Sequence, residues 1–206
     1  MNYLAHAFLS LEDDDIQFGN LIGDFIKGNK YLLYDEKIRQ GILLHRQIDF
    51  FTDRHSLIRE AIAHFKPSFR LSGGIFIDIL FDHFLANDTR YFNDDSLQSF
   101  TSAVYDNLRN HHQLFNEKMN ELFTHMATYN WLYNYKTREG LSRSIKGICR
   151  RHTVLGDGNE AIRIIDLHYP ELRALYEKFF PEVALHVQSL AKNEQGTTDT
   201  STNTIN

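Results

Sequence analysis

The sequence predicts an all-α protein folded as a single helical bundle, and three observations indicate this class. Apolar residues recur at helical spacing along most of the chain, while alternating β-branched runs with tight Asn-Gly or Asp-Gly turns are missing. The three prolines are Pro67, Pro170 and Pro181, so no proline interrupts residues 68–169. A length of 206 residues suits one domain with a sizeable core better than two.

The first half of the chain predicts five helices. Apolar stripes cover residues 3–11 and 16–26, and the second stripe ends at Gly28-Asn29, a pair that favours a helix C-terminus. The next three helices are expected over 35–53, from Ser56 to a point before Pro67, and from Gly73 or Gly74 to about Ala86.

The second half continues with the same periodicity. Helices are expected over 94–110, over 116–135, around 141–148, and over 159–168 and 171–190. Residues 191–206 are polar and lack periodicity, which predicts a disordered tail. The expected organisation is therefore one helical domain over residues 1–190, followed by the tail.

Composition excludes several classes of protein. A single Cys149 excludes an internal disulfide framework and a Cys-rich metal site, and a net charge of -5 argues against a general nucleic-acid binder. The N-terminal segment does not resemble a signal peptide, and no apolar run is long enough to span a membrane, so we expect a cytoplasmic protein. Eleven His alongside many Asp supply the ligand types of a hard or borderline metal site.

The strongest metal-ligand spacing joins His45 and Asp49. Residues four apart share one face of a helix, and Asp53 extends that face by one turn. An imidazole and a carboxylate in this register can bind one metal ion, or they can form a hydrogen-bonded pair within the helix.

A second group, Asp78, Asp82 and His83, lies in a segment that is apolar nearly all round and should be buried. Buried carboxylates are costly unless they bind a metal or pair with a basic group such as Arg46. Metal binding is the favoured interpretation.

Two further positions extend the set of candidate ligands. Asp24 follows Gly19 and Gly23, whose spacing allows a close helix approach beside a site. His6 lies in the first apolar stripe, either as a core residue or in contact with the site. A metal ion held by such groups can polarise a phosphoryl oxygen and activate water, which suits a phosphohydrolase.

One segment of the second half is strongly basic. It combines a single acidic residue, Glu139, with six basic side chains: Lys136, Arg138, Arg143, Lys146, Arg150 and Arg151. The segment is either a solvated helix face or a docking surface for an acidic partner or a phosphate.

Four motifs occur in a fixed order: NYLAH (2–6), GNLIGDF (19–25), GILLHRQIDFFTD (41–53) and DILFDHFLA (78–86). With them, the chain resembles the acyl carrier protein phosphodiesterase family over about residues 1–185. The resemblance implies an HD-domain-like helical fold and hydrolysis of the phosphodiester that joins 4′-phosphopantetheine to a Ser of holo-acyl carrier protein. It also implies a divalent metal, with Mn²⁺ favoured and Mg²⁺, Fe²⁺ and Zn²⁺ as alternatives.

The resemblance also implies roles for individual residues. The metal-centred site would comprise Asp24, His45, Asp49, Asp82 and His83, with Arg46 stabilising charge on the phosphate. His6, Asp53 and Asp78 would be neighbours or alternate ligands. The acidic carrier protein would dock on Lys27 and Lys30, or on Arg143, Lys146, Arg150 and Arg151.

Two other functions stay open at this point. One is an HD-like phosphohydrolase acting on a nucleotide or another small phosphoester. The other is a non-catalytic helical module that binds a protein through its basic face.

Overall fold

The regular structure is entirely helical within residues 1–70 and 72–198, the part of the chain that the computed structural model describes, and this confirms the all-α prediction. The α-helices in this part are α1 (Tyr3–Phe8), α2 (Asp14–Ile22), α3 (Glu36–Arg54), α4 (Ser56–Ala63), α5 (Lys66–Phe69), α6 (Gly73–Ala86), α7 (Asp94–Asn110), α8 (Glu117–Thr128), α9 (Trp131–Asn134), α10 (Arg138–Arg151), α11 (Gly158–Leu167) and α12 (Tyr169–Thr198). None of these helices combines the length and the apolar character needed to cross a membrane.

Three boundaries differ from the predicted ones. The second helix ends at Ile22, and a 3₁₀ turn over Gly23–Phe25 follows, so Asp24 lies on a turn rather than inside a helix. The helix predicted over 116–135 is divided into α8 and α9, because Asn130 adopts the left-handed conformation with φ 47°. The last helix continues beyond residue 190 to Thr198, and residues 199–206 of the predicted tail lie outside the described residues.

Helix α6 lies at the centre of the fold, as its apolar sequence predicted. It contacts α1, α4, α10 and α12. Its fully buried apolar side chains are Phe76, Ile77, Leu80, Phe81, Phe84 and Leu85. Each such side chain contributes about 1.5–3 kcal/mol by leaving water, so these residues anchor α6 in the core.

Helices α2 and α3 approach each other very closely at Gly19 and Gly41. A Cβ added to Gly19 would lie 2.1 Å from the carbonyl oxygen of Ile38, and one added to Gly41 would lie 2.1 Å from that of Ile16. Only glycine fits at both positions, because backbone atoms cannot give way as flexible side chains can. This contact sets Asn20 of α2 directly against His45 of α3.

Candidate metal centre

A compact cluster forms where α1, α2 and α3 meet. It contains His6, His45 and Asp49, each of which offers one ligand atom within 4.8 Å of the others. One carboxylate oxygen of Asp49 lies 3.3 Å from Nε2 of His6, and the other lies 3.1 Å from Nε2 of His45. The two imidazole rings stack with centroids 4.1 Å apart. Oδ1 of Asp24 lies 3.5 Å from Nε2 of His45, which makes it a fourth member of the cluster.

Asn20 orients both imidazoles from behind. Nδ1 of His45 donates to the backbone carbonyl of Asn20 at 2.8 Å, since a carbonyl can only accept. Nδ1 of His6 pairs with Oδ1 of Asn20, also at 2.8 Å. The amide nitrogen of Asn20 donates to the carbonyl of His6 and to Oγ of Ser10, which fixes its oxygen toward the His6 ring. When each imidazole is neutral with its proton on Nδ1, its Nε2 lone pair faces the cluster, the arrangement of metal-binding imidazoles.

The residues present fit a divalent metal ion. Nε2 of His6 and Nε2 of His45 are buried and make no hydrogen bond with acceptable geometry, although carboxylate oxygens lie close to both. Buried polar atoms are rarely left in this state. A cation placed between the imidazoles and the carboxylates would satisfy all of them, and mixed imidazole and carboxylate ligands suit Mn²⁺, Fe²⁺ or Zn²⁺.

The electrostatics of the cluster agree with this geometry. Burial lowers the pKa of His6, so its imidazole is neutral. Burial also opposes the charge on His45, but the carboxylates of Asp24 and Asp49 outweigh it and raise the pKa of His45 to about 9. The pKa values of Asp24 and Asp49 are lowered, because His45 stabilises both as carboxylates. Without a metal ion, a proton on His45 balances part of this negative charge.

The acidic side of the cluster continues to the N-terminus of the chain. The buried amino group of Met1 lies 3.1 Å from Oδ1 of Asp78 and 3.7 Å from Oδ1 of Asp49. Asp53 lies one helical turn beyond Asp49, and burial together with Asp49 raises its pKa. Asp78 and Asp53 thus lie beside the cluster as the sequence suggested, but neither belongs to its compact core.

The structure does not bring Asp82 and His83 into the cluster. The Asp82 carboxylate accepts hydrogen bonds from the backbone N–H groups of Leu4 and Ala5 at 2.8 and 3.1 Å, and so caps the first turn of α1. The ring of His83 lies between the carbonyl of Tyr135 and the hydroxyl of Tyr169, with both nitrogens engaged. Neighbouring side chains diverge by about 100° around a helix, and the burial that suggested a metal is satisfied by these hydrogen bonds instead.

Arg46 also has a different position from the predicted one. Its guanidinium donates to the carbonyls of Ile26 and Gly28 and lies 5.1 Å from the ring centre of Tyr31. Arg46 therefore holds in place the segment that follows Asp24. Its guanidinium is engaged in these contacts and does not take the phosphate-stabilising position expected for it.

A cavity of about 520 Å³ opens beside the cluster. Asp24 and Asp78 form part of its wall, and Arg143, Arg150 and Arg151 of α10 form another part. Burial raises the pKa of Tyr3, the Asp24 carboxylate raises it further, and the Arg151 guanidinium lowers it. Tyr3 therefore lies near both an acidic and a basic group of the cavity wall. The cavity thus joins the candidate metal centre to three of the four α10 residues that were predicted to dock the carrier protein.

The predicted docking residues are exposed. Lys27 and Lys30 lie on the segment after Asp24, and Lys146, Arg150 and Arg151 lie on α10. Within the described part of the chain, none of these five forms a salt bridge, whereas Arg143 lies 3.9 Å from Glu139. The positive charges of these five side chains are therefore available to an external anion.

Sequence reasoning missed two contributors to the site. The role of Asn20 could have been inferred from its place as the one polar residue besides Asp24 in the GNLIGDF segment. The Met1 amino group gave no such signal, because its burial depends on how α1 packs. The close approach expected at Gly23 is confirmed, since a Cβ there would lie 2.3 Å from the His45 ring.

Fold and site together define a class: an all-α protein with a buried His and carboxylate cluster that Asp24 connects to a cavity. Comparison with known proteins narrows this class. A family model described as acyl carrier protein phosphodiesterase matches residues 1–183. No solved structure matches the chain.

Curated relatives agree with the family model. A protein of Photorhabdus laumondii subsp. laumondii, named acyl carrier protein phosphodiesterase, is 34% identical over 182 residues, which cover 88% of this chain and 92% of the relative. A protein of the same name from Yersinia enterocolitica is 30% identical over 91% of this chain and 98% of its own length. Another, from Enterobacter sp., is 28% identical over 95% of this chain and 100% of its own length. The chain belongs to the acyl carrier protein phosphodiesterase family, as its motifs predicted, and it is an enzyme, a phosphodiesterase.

Proposed function

We propose that the chain hydrolyses the phosphodiester between 4′-phosphopantetheine and a Ser of holo-acyl carrier protein, releasing apo-acyl carrier protein and 4′-phosphopantetheine. The observation that carries this proposal is the cluster of His6, His45 and Asp49, whose imidazole Nε2 atoms are unpartnered. Asp24, which lies beside His45, connects this cluster to a cavity lined by arginines. Family membership supports the substrate. A cytoplasmic location follows from the same assignment.

In this proposal His6, His45, Asp49 and Asp24 hold a divalent metal, with Mn²⁺ favoured. When bound, the ion supplies a Lewis acid for a phosphoryl oxygen and lowers the pKa of a coordinated water. The side chain of Asp24 is 65% exposed, so its carboxylate can also accept a hydrogen bond from an attacking water. Asn20 keeps both imidazoles in the tautomer that presents Nε2.

The phosphate needs positive charge near the cavity, and Arg46 does not provide it. Arg143, Arg150 and Arg151 line the cavity and are suited to bind phosphate oxygens, because guanidinium groups form paired hydrogen bonds with them. Charge that develops on the phosphate during attack would be stabilised in the same way.

The acidic carrier protein would dock through the exposed cations around the cavity. Lys146, Arg150 and Arg151 lie on the α10 side, and Lys27 and Lys30 on the side of Asp24. Since exposed charges are screened by salt, raising the ionic strength should raise KM for holo-acyl carrier protein more than it lowers kcat. Steady-state kinetics between low and physiological salt checks this, and a KM that ignores salt would contradict a charged docking surface.

The activity itself is tested by mass spectrometry of the carrier protein. Incubation of holo-acyl carrier protein with the enzyme and Mn²⁺ should remove the mass of the phosphopantetheine arm, and Asp49→Asn and His45→Gln should each slow this at least 100-fold. His83→Gln is the matched control, a buried imidazole outside the cluster, and should retain activity. If wild-type enzyme hydrolyses nucleotides but leaves the carrier protein intact, the proposed substrate is wrong.

A further inference from the structure

Gly147, in the middle of α10, has no explanation in the packing of the protein. A Cβ added there would meet only a guanidinium nitrogen of Arg151, at an ordinary contact distance of 3.6 Å. Gly140 of the same helix is different, because its Cβ would lie 1.9 Å from the carbonyl oxygen of Asn134. Glycine inside a helix costs about 1 kcal/mol relative to alanine. The missing side chain at position 147 therefore reduces helix stability and relieves no clash.

The space left at Gly147 belongs to the cavity beside the metal centre, since Gly147 is one of its lining residues. The cavity volume of about 520 Å³ lies within the range of about 300–1,000 Å³ typical of small-molecule sites. At Gly147 the bare backbone allows a ligand to approach α10 more closely than any side chain would.

Besides the arginines, the cavity has a second kind of lining. It combines neutral hydrogen-bonding groups with apolar and aromatic surfaces, contributed by Asn2, Asn134, Ser144, Ile148, Trp131 and Tyr135. Asn2 and Tyr135 already pair with each other, since Nδ2 of Asn2 donates to the Tyr135 hydroxyl at 2.9 Å. Trp131 is also held in place, with the Arg151 guanidinium 5.7 Å from its ring centre. Such a lining suits an uncharged, flexible chain that carries amide and hydroxyl groups.

We propose that this cavity binds the pantetheine portion of the substrate, with Gly147 as a residue that determines specificity for it. The inference rests on the proposed function, in which the phosphodiester lies at the His and carboxylate cluster. The pantetheine portion of the substrate carries two amides, one free hydroxyl group and a terminal thiol along an aliphatic chain. The amides and the hydroxyl match the carboxamides and hydroxyls of the lining, and the aliphatic chain matches its apolar surfaces. Asp24 and Asp78 link the cavity to the cluster, so an arm bound there places its phosphate end near the metal ligands.

The proposal predicts that stability and binding change in opposite directions at position 147. Gly147→Ala should raise the melting temperature, because alanine favours the helix, yet weaken the binding of free pantetheine about threefold. Gly147→Leu should project a larger side chain into the cavity and weaken pantetheine binding at least tenfold. Ser142→Leu is the matched control, a bulky change on the same helix at a residue that does not line the cavity, and should bind pantetheine as the wild type does.

Isothermal titration calorimetry with pantetheine tests this, because pantetheine lacks the phosphodiester and is not consumed. Equal affinity of wild type and Gly147→Ala and Gly147→Leu for pantetheine, or no binding by wild type, overturns the inference. If wild type also releases the arm from holo-acyl carrier protein in that case, the proposed function stands and the arm binds elsewhere. If pantetheine binding depends on Gly147 but no arm is released, the cavity assignment stands and the proposed function fails.

Discussion

Asn20 orients the imidazoles of the candidate metal centre although it is not itself one of the candidate ligands. Its carbonyl and side-chain oxygens hold the Nδ1 atoms of His45 and His6, which leaves both Nε2 atoms toward Asp49. The partners behind a metal-binding imidazole fix its orientation and its tautomer. The geometry of the cluster therefore requires Asn20 as much as it requires the imidazoles.

Asn20→Ala should weaken Mn²⁺ binding about 10- to 100-fold, since the His6 ring loses the side-chain oxygen that orients it while all ligands remain. His45 keeps its hydrogen bond to the backbone carbonyl at position 20. Titration calorimetry with Mn²⁺ measures the change in affinity. Asn107→Ala is a suitable control, because Asn107 is also buried and donates to a backbone carbonyl, that of Asp14, outside the cluster. Unchanged Mn²⁺ affinity in Asn20→Ala would show that the His6 ring does not depend on the Asn20 side chain for its orientation.

His83 has a structural role that pH should reveal. Burial lowers the pKa of His83 to about 4, below the value of about 6.5 of an unfolded histidine. The unfolded chain therefore takes up a proton first, so the stability associated with His83 is present above about pH 6.5 and is lost as the pH falls toward 4.

The expected contribution of His83 approaches about 3 kcal/mol across this window. Urea unfolding at pH 7 and pH 4.5 should show a smaller loss of unfolding free energy in His83→Gln than in wild type, because glutamine does not titrate. Parallel losses in the two proteins would mean that His83 titrates normally in the folded state.

Among the helices, the contact between α2 and α3 fixes the site. Gly19 and Gly41 allow these helices to approach within backbone contact, which puts Asn20 against His45. Helix α1 adds His6, and its first turn is held by the Asp82 carboxylate. The centre thus requires three consecutive helices to be packed in one arrangement, with α6 holding the first of them.

Gly41→Ala should lower the free energy of unfolding by about 1–3 kcal/mol, because the new Cβ would press on the Ile16 carbonyl and separate the helices. The same shift should move Asn20 from His45 and weaken Mn²⁺ binding. Gly74→Ala is the control, since its Cβ would meet only a terminal methyl group of Ile62 at 3.6 Å. If Gly41→Ala is destabilised but binds Mn²⁺ with normal affinity, the metal site does not depend on the contact between α2 and α3.

The sequence predicted those parts of the site that are set by local geometry. His45 and Asp49 share a helix face at i and i+4, so their convergence needs no knowledge of the fold. Asp82 and His83 were misjudged because burial alone does not tell which partner satisfies a polar group: a backbone amide, a hydroxyl or a metal. Helix ends at Ile22 and Asn130 depend on individual backbone conformations, which periodicity does not encode.

In the molecule as a whole, the cavity connects a negatively charged region with a positively charged one. The carboxylates of Asp24 and Asp78 lie on its metal-centre side, and three arginines of α10 line another side. In the proposed function both regions are used, since carboxylates are favourable ligands for a divalent metal and arginines bind phosphate. The fold brings three arginines of the basic segment into the same cavity as Asp24, although the segment is separated from His45 by about half of the chain.

The most direct measurement is the anomalous diffraction of crystals of the Mn²⁺-loaded enzyme. We expect a manganese peak between Nε2 of His6, Nε2 of His45 and the Asp49 carboxylate, with Asp24 adjacent, and loss of that peak in His45→Gln. A manganese peak elsewhere, for example beside Asp82 and His83, or full hydrolysis of holo-acyl carrier protein by metal-free enzyme, would contradict the proposed metal centre.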